Sequence, residues 1–225
     1  MIKTPQLRGL LANYQNILVA EEFESFEREV ERLLLHYYDL LAKLAPGQER
    51  GRKVHELLHE QELASAHIKT TCQKGCGACC HLEVEITSDD AAILADSVAQ
   101  GIALDSVRLR EMSARERLDK AWAQGAVPSN RCVFLGADNA CRNYENRPAV
   151  CRKHSVVSPV AECEKVGGNP VPKLMPLAEI ILSAAANQVG NNFGALSKML
   201  QLEMDQRLEV VLNTGKIGIL TEEIL

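Results

Sequence analysis

The chain has 225 residues, of which 46% are hydrophobic and 24% are charged, as expected for a globular protein. Lys and Arg number 25 and Asp and Glu 30, giving a net charge of −5, and only 4% of the residues are aromatic. Nucleic-acid binding needs a concentrated basic surface or a row of stacking rings, so we expect no nucleic-acid partner. No apolar run is long enough to span a bilayer, so we expect no membrane partner either.

The composition contains eight cysteines, which bear on the compartment. Residues 1–20 do not form a secretory signal, because Asn13, Tyr14, Gln15 and Asn16 interrupt any apolar stretch. We therefore predict a cytoplasmic location, where disulfides are rare and clustered thiols bind metals or carry out redox chemistry. Buried free cysteines and a disulfide framework are the alternatives.

The first seventy residues show helical periodicity. A helix opened by Thr4-Pro5 is followed by one over 23–44, which Pro46-Gly47 ends, and by a third over 52–68. Residues 1–71 are thus predicted to be an N-terminal helical segment.

The third of these helices contains His55-Glu56-Leu57-Leu58-His59, which matches the zinc-binding pattern H-E-x-x-H. Its flanks are charged, and both histidines lie off the apolar stripe formed by Val54, Leu57 and Leu58. We interpret the match as a solvated helix face and expect no metal there.

Residues 72–165 are predicted to be a metal-binding cysteine-cluster region. A tight loop over 72–80 contains two glycines, and alternating residues over 82–86 predict a short strand. Thr87 to Asp90 cap a helix that ends at Gly101, and a further helix is expected over 105–123. A β-hairpin over 132–144 and a short helix after Pro148 follow, and then an irregular stretch over 159–172.

The spacing of the cysteines is that of a metal site, because ligands two to four residues apart let one turn of backbone aim several sulfurs inward. We predict that all eight are ligands: Cys72, Cys76, Cys79, Cys80, Cys132, Cys141, Cys151 and Cys163. Near them, His81 and His154 are either ligands, hydrogen-bond donors to a ligand sulfur, or bystanders.

Basic residues accompany the second group of cysteines. Arg131, Arg142, Arg147, Arg152 and Lys153 outnumber two acidic residues between positions 131 and 154, a local charge of +3. Four thiolates around a zinc ion or an oxidised four-iron cluster leave about −2, which nearby cations would stabilise.

These motifs, CGACC at 76–80 and CxxYExRPxxCR at 141–152, resemble the zinc- or iron-chelating cysteine-cluster family (CxxCxxCC, also called YkgJ-like). The resemblance covers Cys72 to Cys163 and implies a zinc or iron site. Flagellin lysine methylases contain a similar cluster, which implies a protein-modifying enzyme as one possibility.

The cofactor and the function each have two interpretations. Seven or eight cysteines exceed the needs of one tetrahedral zinc, and neighbours such as Cys79 and Cys80 diverge, so an iron–sulfur cluster is favoured over one or two zinc ions. The spacing over 72–79 also occurs in radical-SAM enzymes, but no repeated βα units follow. The metal serves either a redox or protein-modifying enzyme or a structural-zinc interaction module, and the substrate or protein partner is not specified.

From Pro176 the chain is again helical, and residues 166–225 are predicted to pack on the same core. The expected fold is a mostly α, helical domain with a small β-hairpin and Cys-rich metal-binding loops.

Overall fold

The computed structural model describes residues 5–73, 75–124 and 127–214. The predicted mostly α fold is confirmed, since the structure is 58% helical with a small β element. The helices are α1 (Pro5–Gln15), α2 (Ala20–Leu41), α3 (Gln48–Ala64), α4 (Ser88–Ala99), α5 (Ser106–Ser113), α6 (Ala149–Lys153), α7 (Ala161–Glu164), α8 (Pro176–Ala186) and α9 (Leu196–Thr214). The strands are β1 (Glu85–Thr87) and β2 (Phe193–Ala195), and 3-10 turns occupy Ala78–His81, Lys120–Gln124 and Pro128–Asn130.

The N-terminal helices form one apolar cluster with α8. Leu7 of α1, Leu34 of α2, Leu58 of α3 and Ile181 of α8 are among its fully or almost fully buried members. Each such side chain contributes about 1.5–3 kcal/mol on burial. The periodicity of the first seventy residues therefore reflects packing.

A second apolar cluster combines α4, α5 and α9 with the segment after Cys132. Phe134, Ile86, Leu94 and Leu200 are buried in it, and Cys132 and Cys141 pack against its edge. The cysteine-bearing turn is thus attached to a helical core.

The two strands pair antiparallel across a long sequence separation, with Glu85 opposite Ala195 and Thr87 opposite Phe193. The predicted strand over 82–86 begins three residues later, at Glu85. Where the hairpin over 132–144 was expected, the chain makes a turn with one antiparallel bridge, Leu135 to Cys141. The amide of Gly136 closes this turn by donating to the Ala140 carbonyl at 2.8 Å.

Two expectations between 105 and 172 need correction. The helix predicted over 105–123 ends at Ser113. Past its end, the Arg115 guanidinium donates to the Asn130 side chain and the Ser129 carbonyl, in the 3-10 turn Pro128–Asn130. Leu118 then adopts a positive φ of 60°, which no α-helix contains. The stretch expected to be irregular contains the short helix α7, which carries Cys163.

The segment boundaries expected between residues 71 and 72 and between residues 165 and 166 stay predictions. In the structure the C-terminal segment contributes α8 to the first apolar cluster and α9 to the second. Thr4, Lys74 of the cysteine loop and residues 215–225 of the C-terminal segment lie outside the described residues. None of the helices in the described ranges is long and apolar enough to cross a membrane.

Asp89, in the first turn of α4, connects α4 to α3. Its two carboxylate oxygens accept from Arg50 at 2.6 and 3.0 Å, and both side chains are only 3% exposed. The amide of Gly47 also donates to this carboxylate, at 2.7 Å. This buried, bidentate pair therefore fixes the start of α3 against the start of α4.

Asp90 extends this connection to the cysteine region. Its Oδ1 lies 3.0 Å from Nε2 of His55 and accepts from the amide of Ala149, the first residue of α6, at 3.0 Å. His55 is 8% exposed, so the interpretation of both H-E-x-x-H histidines as solvated was wrong for His55. His59 is exposed as expected, with Nδ1 3.4 Å from Glu62. The two histidine rings contact different carboxylates, His55 that of Asp90 and His59 that of Glu62.

We predict that the Asp89→Asn variant loses about 3–5 kcal/mol of unfolding free energy, because it leaves the Arg50 charge buried without its counter-ion. Urea denaturation measures the loss. The matched control is Glu29→Gln in the exposed pair with Arg32, which should change stability by less than about 1 kcal/mol. Equal effects in the two variants would contradict the assigned role of the buried pair.

We predict that His55→Ala destabilises the protein by about 1–3 kcal/mol, because it removes a buried partner of Asp90. His59→Ala, one turn along the same helix, should leave the melting temperature within error. Thermal unfolding of both variants checks this, and an unchanged melting temperature for His55→Ala would contradict it.

Candidate metal centre

The cysteines lie on separated segments, which include the loop over 72–80, the turn over 132–141 and α6 with Cys151. The loop over 72–80 packs against the turn after Cys132, and a Cβ added at Gly77 would lie 3.1 Å from the Asn139 carbonyl oxygen. Gly75 adopts a φ of +91°, which favours glycine. The amide of Cys132 then donates to the Cys80 carbonyl at 2.8 Å, which joins the first and second cysteine groups directly.

These segments enclose a cavity of about 580 Å³. Seven of the eight predicted ligands line it: Cys72, Cys76, Cys79, Cys80, Cys132, Cys141 and Cys151. A water molecule in the liquid takes roughly 30 Å³, so the space far exceeds that of a single ion. Part of the wall is apolar and includes Val84, Phe134 and Leu196.

Cys163, the eighth predicted ligand, does not line this cavity. It lies on α7, which packs against the 3-10 turn Ala78–His81. Nearby, the amide of Val156 donates to Sγ of Cys72 at 3.3 Å. That the eight cysteines bind a metal stays a prediction.

The thiols differ in their tendency to ionise. A hydrogen bond from the Cys80 thiol lowers the pKa of Cys79 to about 7, assisted by the positive charge of Arg147, while the same bond and burial raise the pKa of Cys80. Burial raises the pKa of Cys132 to about 11 and that of Cys151 well above its usual value. With their pKa values raised, the thiols of Cys80, Cys132 and Cys151 are protonated near neutral pH, and binding a metal as thiolates would release their protons.

Three buried hydrogen-bond donors at the cavity have no partner among the described residues. They are Nδ2 of Asn143 and the Nε atoms of Arg147 and Arg152, and all three residues line the cavity. A buried donor left unsatisfied costs about 1–3 kcal/mol, and more when it is charged. This donor set suits an occupant that accepts hydrogen bonds and carries negative charge.

Only part of the predicted basic group faces the cavity. Arg147 and Arg152 line it, whereas Arg131 donates to the carbonyl of Gly136 and Lys153 pairs with Glu179. Arg142, the fifth of the group, is exposed.

The sequence interpretation missed Asn143, which is 2% exposed. The signal was its place inside the CxxYExRP motif, two residues after Cys141. A polar side chain with no charge gives no electrostatic pattern, so nothing else marked it.

The two neighbouring histidines occupy different positions. Nδ1 of His81 lies 3.1 Å from the Gly77 carbonyl oxygen, and the ring does not line the cavity. His154 lines the cavity, and loss of water contact together with the charge of Lys153 lowers its pKa. A neutral ring can bind a metal, so His154 is the better placed of the two.

None of the eight cysteines forms a disulfide, so the disulfide framework is not the arrangement seen. Within the described ranges, no three cysteine, histidine or acidic side chains converge closely enough to form a ready-made metal site. The thiols surround one space and would have to turn toward each other to share an ion.

No curated protein and no solved structure is significantly similar to the chain. One family model does match. It covers less than half of the chain and includes all eight cysteines. The expected resemblance is thus confirmed: residues 71–170 match the CxxCxxCC family, described as a putative zinc- or iron-chelating domain.

Proposed function

We propose that the cavity holds a metal centre bound by cysteine thiolates, which makes the chain a metal-binding protein. The observation that carries this proposal is that seven cysteines from remote parts of the sequence line one cavity. The match of residues 71–170 to a zinc- or iron-chelating family supports the same conclusion.

The unpaired donors fit such a centre. Four thiolates around a divalent ion or an oxidised four-iron cluster carry about −2, and sulfur bound to metal accepts hydrogen bonds. The Nδ2 atom of Asn143 and the Nε atoms of Arg147 and Arg152 would donate those bonds, and the two guanidinium groups would offset part of the negative charge. Arg147 also pairs with Glu62, another residue of the cavity wall, at 3.4 Å. Arg147 also lowers the pKa of Cys79, so it favours the thiolate form that binds metal.

For the metal itself, we propose an iron–sulfur cluster over zinc. Seven cysteines line the cavity, which is more than the four thiolates that one tetrahedral zinc takes. The cavity also exceeds the space that one ion needs. One or two zinc ions bound by the same thiols are the alternative.

The size and the apolar wall of the cavity favour a working centre over a purely structural one. A closed structural site needs only four ligands, whereas this cavity has space within the range of small-molecule pockets. We therefore propose a redox or protein-modifying enzyme, with bound metal as its reactive group. We also propose a reducing compartment such as the cytoplasm, where clustered thiols stay free to bind a metal.

Analysis of protein purified without oxygen tests the proposal. If the centre is an iron–sulfur cluster, the preparation should be brown and absorb at about 400 nm. Its iron content should be matched by acid-labile sulfide. A colourless preparation with stoichiometric zinc and no sulfide would support the structural-zinc interaction module. Absence of both metals, after reconstitution as well, would contradict the metal-binding function.

A further inference from the structure

We propose that Lys173 is a counter-cation of the metal centre, with a buried ammonium group that compensates the negative charge of the bound thiolates. Neither the cysteine motifs nor the family match, which ends at residue 170, includes this lysine. The inference rests on the proposed metal-binding function and deepens it, because it assigns to the centre a charged residue from outside the matched region.

The segment before α8 places this lysine on its inner side. Lys173 is 8% exposed and Met175 is 6% exposed, and both line the cavity, whereas Leu174 between them is 50% exposed. Successive side chains of an extended chain point to opposite sides, so a shift of one residue would bury the leucine and expose the lysine. The observed register therefore buries a charge although an apolar side chain is the next residue along.

Backbone hydrogen bonds hold this register beside a predicted ligand. The Lys173 amide donates to the Ser155 carbonyl at 2.9 Å, and Val156 forms an antiparallel bridge with Pro172. The amide of the same Val156 donates to Sγ of Cys72 at 3.3 Å. One short stretch of backbone thus positions both the lysine and Cys72 at the cavity.

The ammonium group has no carboxylate partner. Its Nζ atom donates to the carbonyl of Ser65, the C-cap residue of α3, at 2.8 Å. Among the residues that the structure describes, no carboxylate oxygen lies within 4.0 Å of this atom. A buried charge without a counter-ion is unfavourable, so the cavity lacks an anion at this position.

The carboxylates of the cavity wall are already engaged. Glu62 pairs with Arg147 at 3.4 Å, and Glu85 pairs with Arg117. Glu83, the third acidic residue of the wall, accepts from a backbone amide at 3.0 Å. A metal centre bound by thiolates would bring to the cavity the negative charge that the lysine lacks.

A purely structural role for Lys173 is the alternative, because a lysine that donates to a carbonyl at the end of a helix also interacts favourably with the helix dipole. The two roles differ in the metal-free protein. A helix cap stabilises the protein with or without metal. A counter-cation is unfavourable while the cavity lacks an anion and becomes favourable when the centre binds, so its removal lowers the affinity for metal.

Zinc is the probe for the test, because it binds thiolates and has no redox chemistry of its own. The Lys173→Met variant removes the charge and keeps a long, flexible side chain. We expect the zinc affinity of the reduced full-length variant, measured without oxygen by competition with a chelator, to fall about 10–100-fold. The melting temperature of its metal-free form should not fall, and Lys173→Arg, which keeps the charge, should retain most of the affinity.

The matched control is Lys153→Met, which removes a positive charge two residues after Cys151 but outside the cavity, where Lys153 pairs with Glu179. Its zinc affinity should stay close to that of the wild type. Circular dichroism of the metal-free proteins confirms folding, and Lys173→Gln replaces Lys173→Met if the latter does not fold. If the wild-type protein binds iron but not zinc, the same comparison is made with iron(II).

An unchanged affinity in Lys173→Met would overturn the proposal and leave the lysine as a helix cap. An equal loss in Lys153→Met would also overturn it, because the effect would then belong to the total charge of the protein. An equal loss in Lys173→Arg would assign the effect to the shape of the side chain, with the same consequence. In each case metal binding itself would stand, whereas a wild-type protein that binds neither zinc nor iron would overturn the proposed function.

Discussion

Two adjacent buried carboxylates, Asp89 and Asp90, hold the helical scaffold and the cysteine segments together. Asp89 bonds the start of α3 through Arg50, and Asp90 bonds the same helix through His55 and the start of α6 through the Ala149 amide. Because α6 carries Cys151, a single turn of α4 sets the position of a predicted ligand relative to the N-terminal helices. Buried carboxylates are tolerated here because several donors satisfy each one.

The remaining cysteine segments depend on this scaffold less directly. Cys132 and Cys141 are held by the apolar cluster that they edge, whereas the loop over 72–80 is fixed mainly by the Cys132–Cys80 backbone hydrogen bond and the close approach of Gly77. Cys163 lies on a helix of only four residues. A bound metal would therefore add order where the packing is thinnest, and its binding free energy would become folding free energy there.

Local patterns in the sequence were sufficient for the helices and for the cysteine loop, because periodicity, caps and glycines act over a few residues. Thr87 does cap α4, by accepting from the Asp90 amide, as its place in the sequence indicates. The pairing of β1 with β2 could not be foreseen, since Glu85 and Ala195 are brought together only by the packing of α4 and α9. The same holds for α7, which is too short to show a period.

Burial of polar groups was the other limit on sequence-based prediction. His55 lies off the main apolar stripe of α3, yet the Asp90 carboxylate from another helix gives it a buried partner. Asn143 is hidden in the cavity wall although nothing in its own type marks it as buried. Both outcomes depend on contacts between remote segments, and these are decided by tertiary packing.

X-ray absorption spectroscopy of protein purified without oxygen tests the central claim most directly, because it reports the atoms bound to the metal. The account predicts a first coordination shell made of sulfur, at about 2.3 Å if the metal is zinc. A shell dominated by nitrogen or oxygen would show that the cysteine thiolates do not hold the metal and would contradict the account.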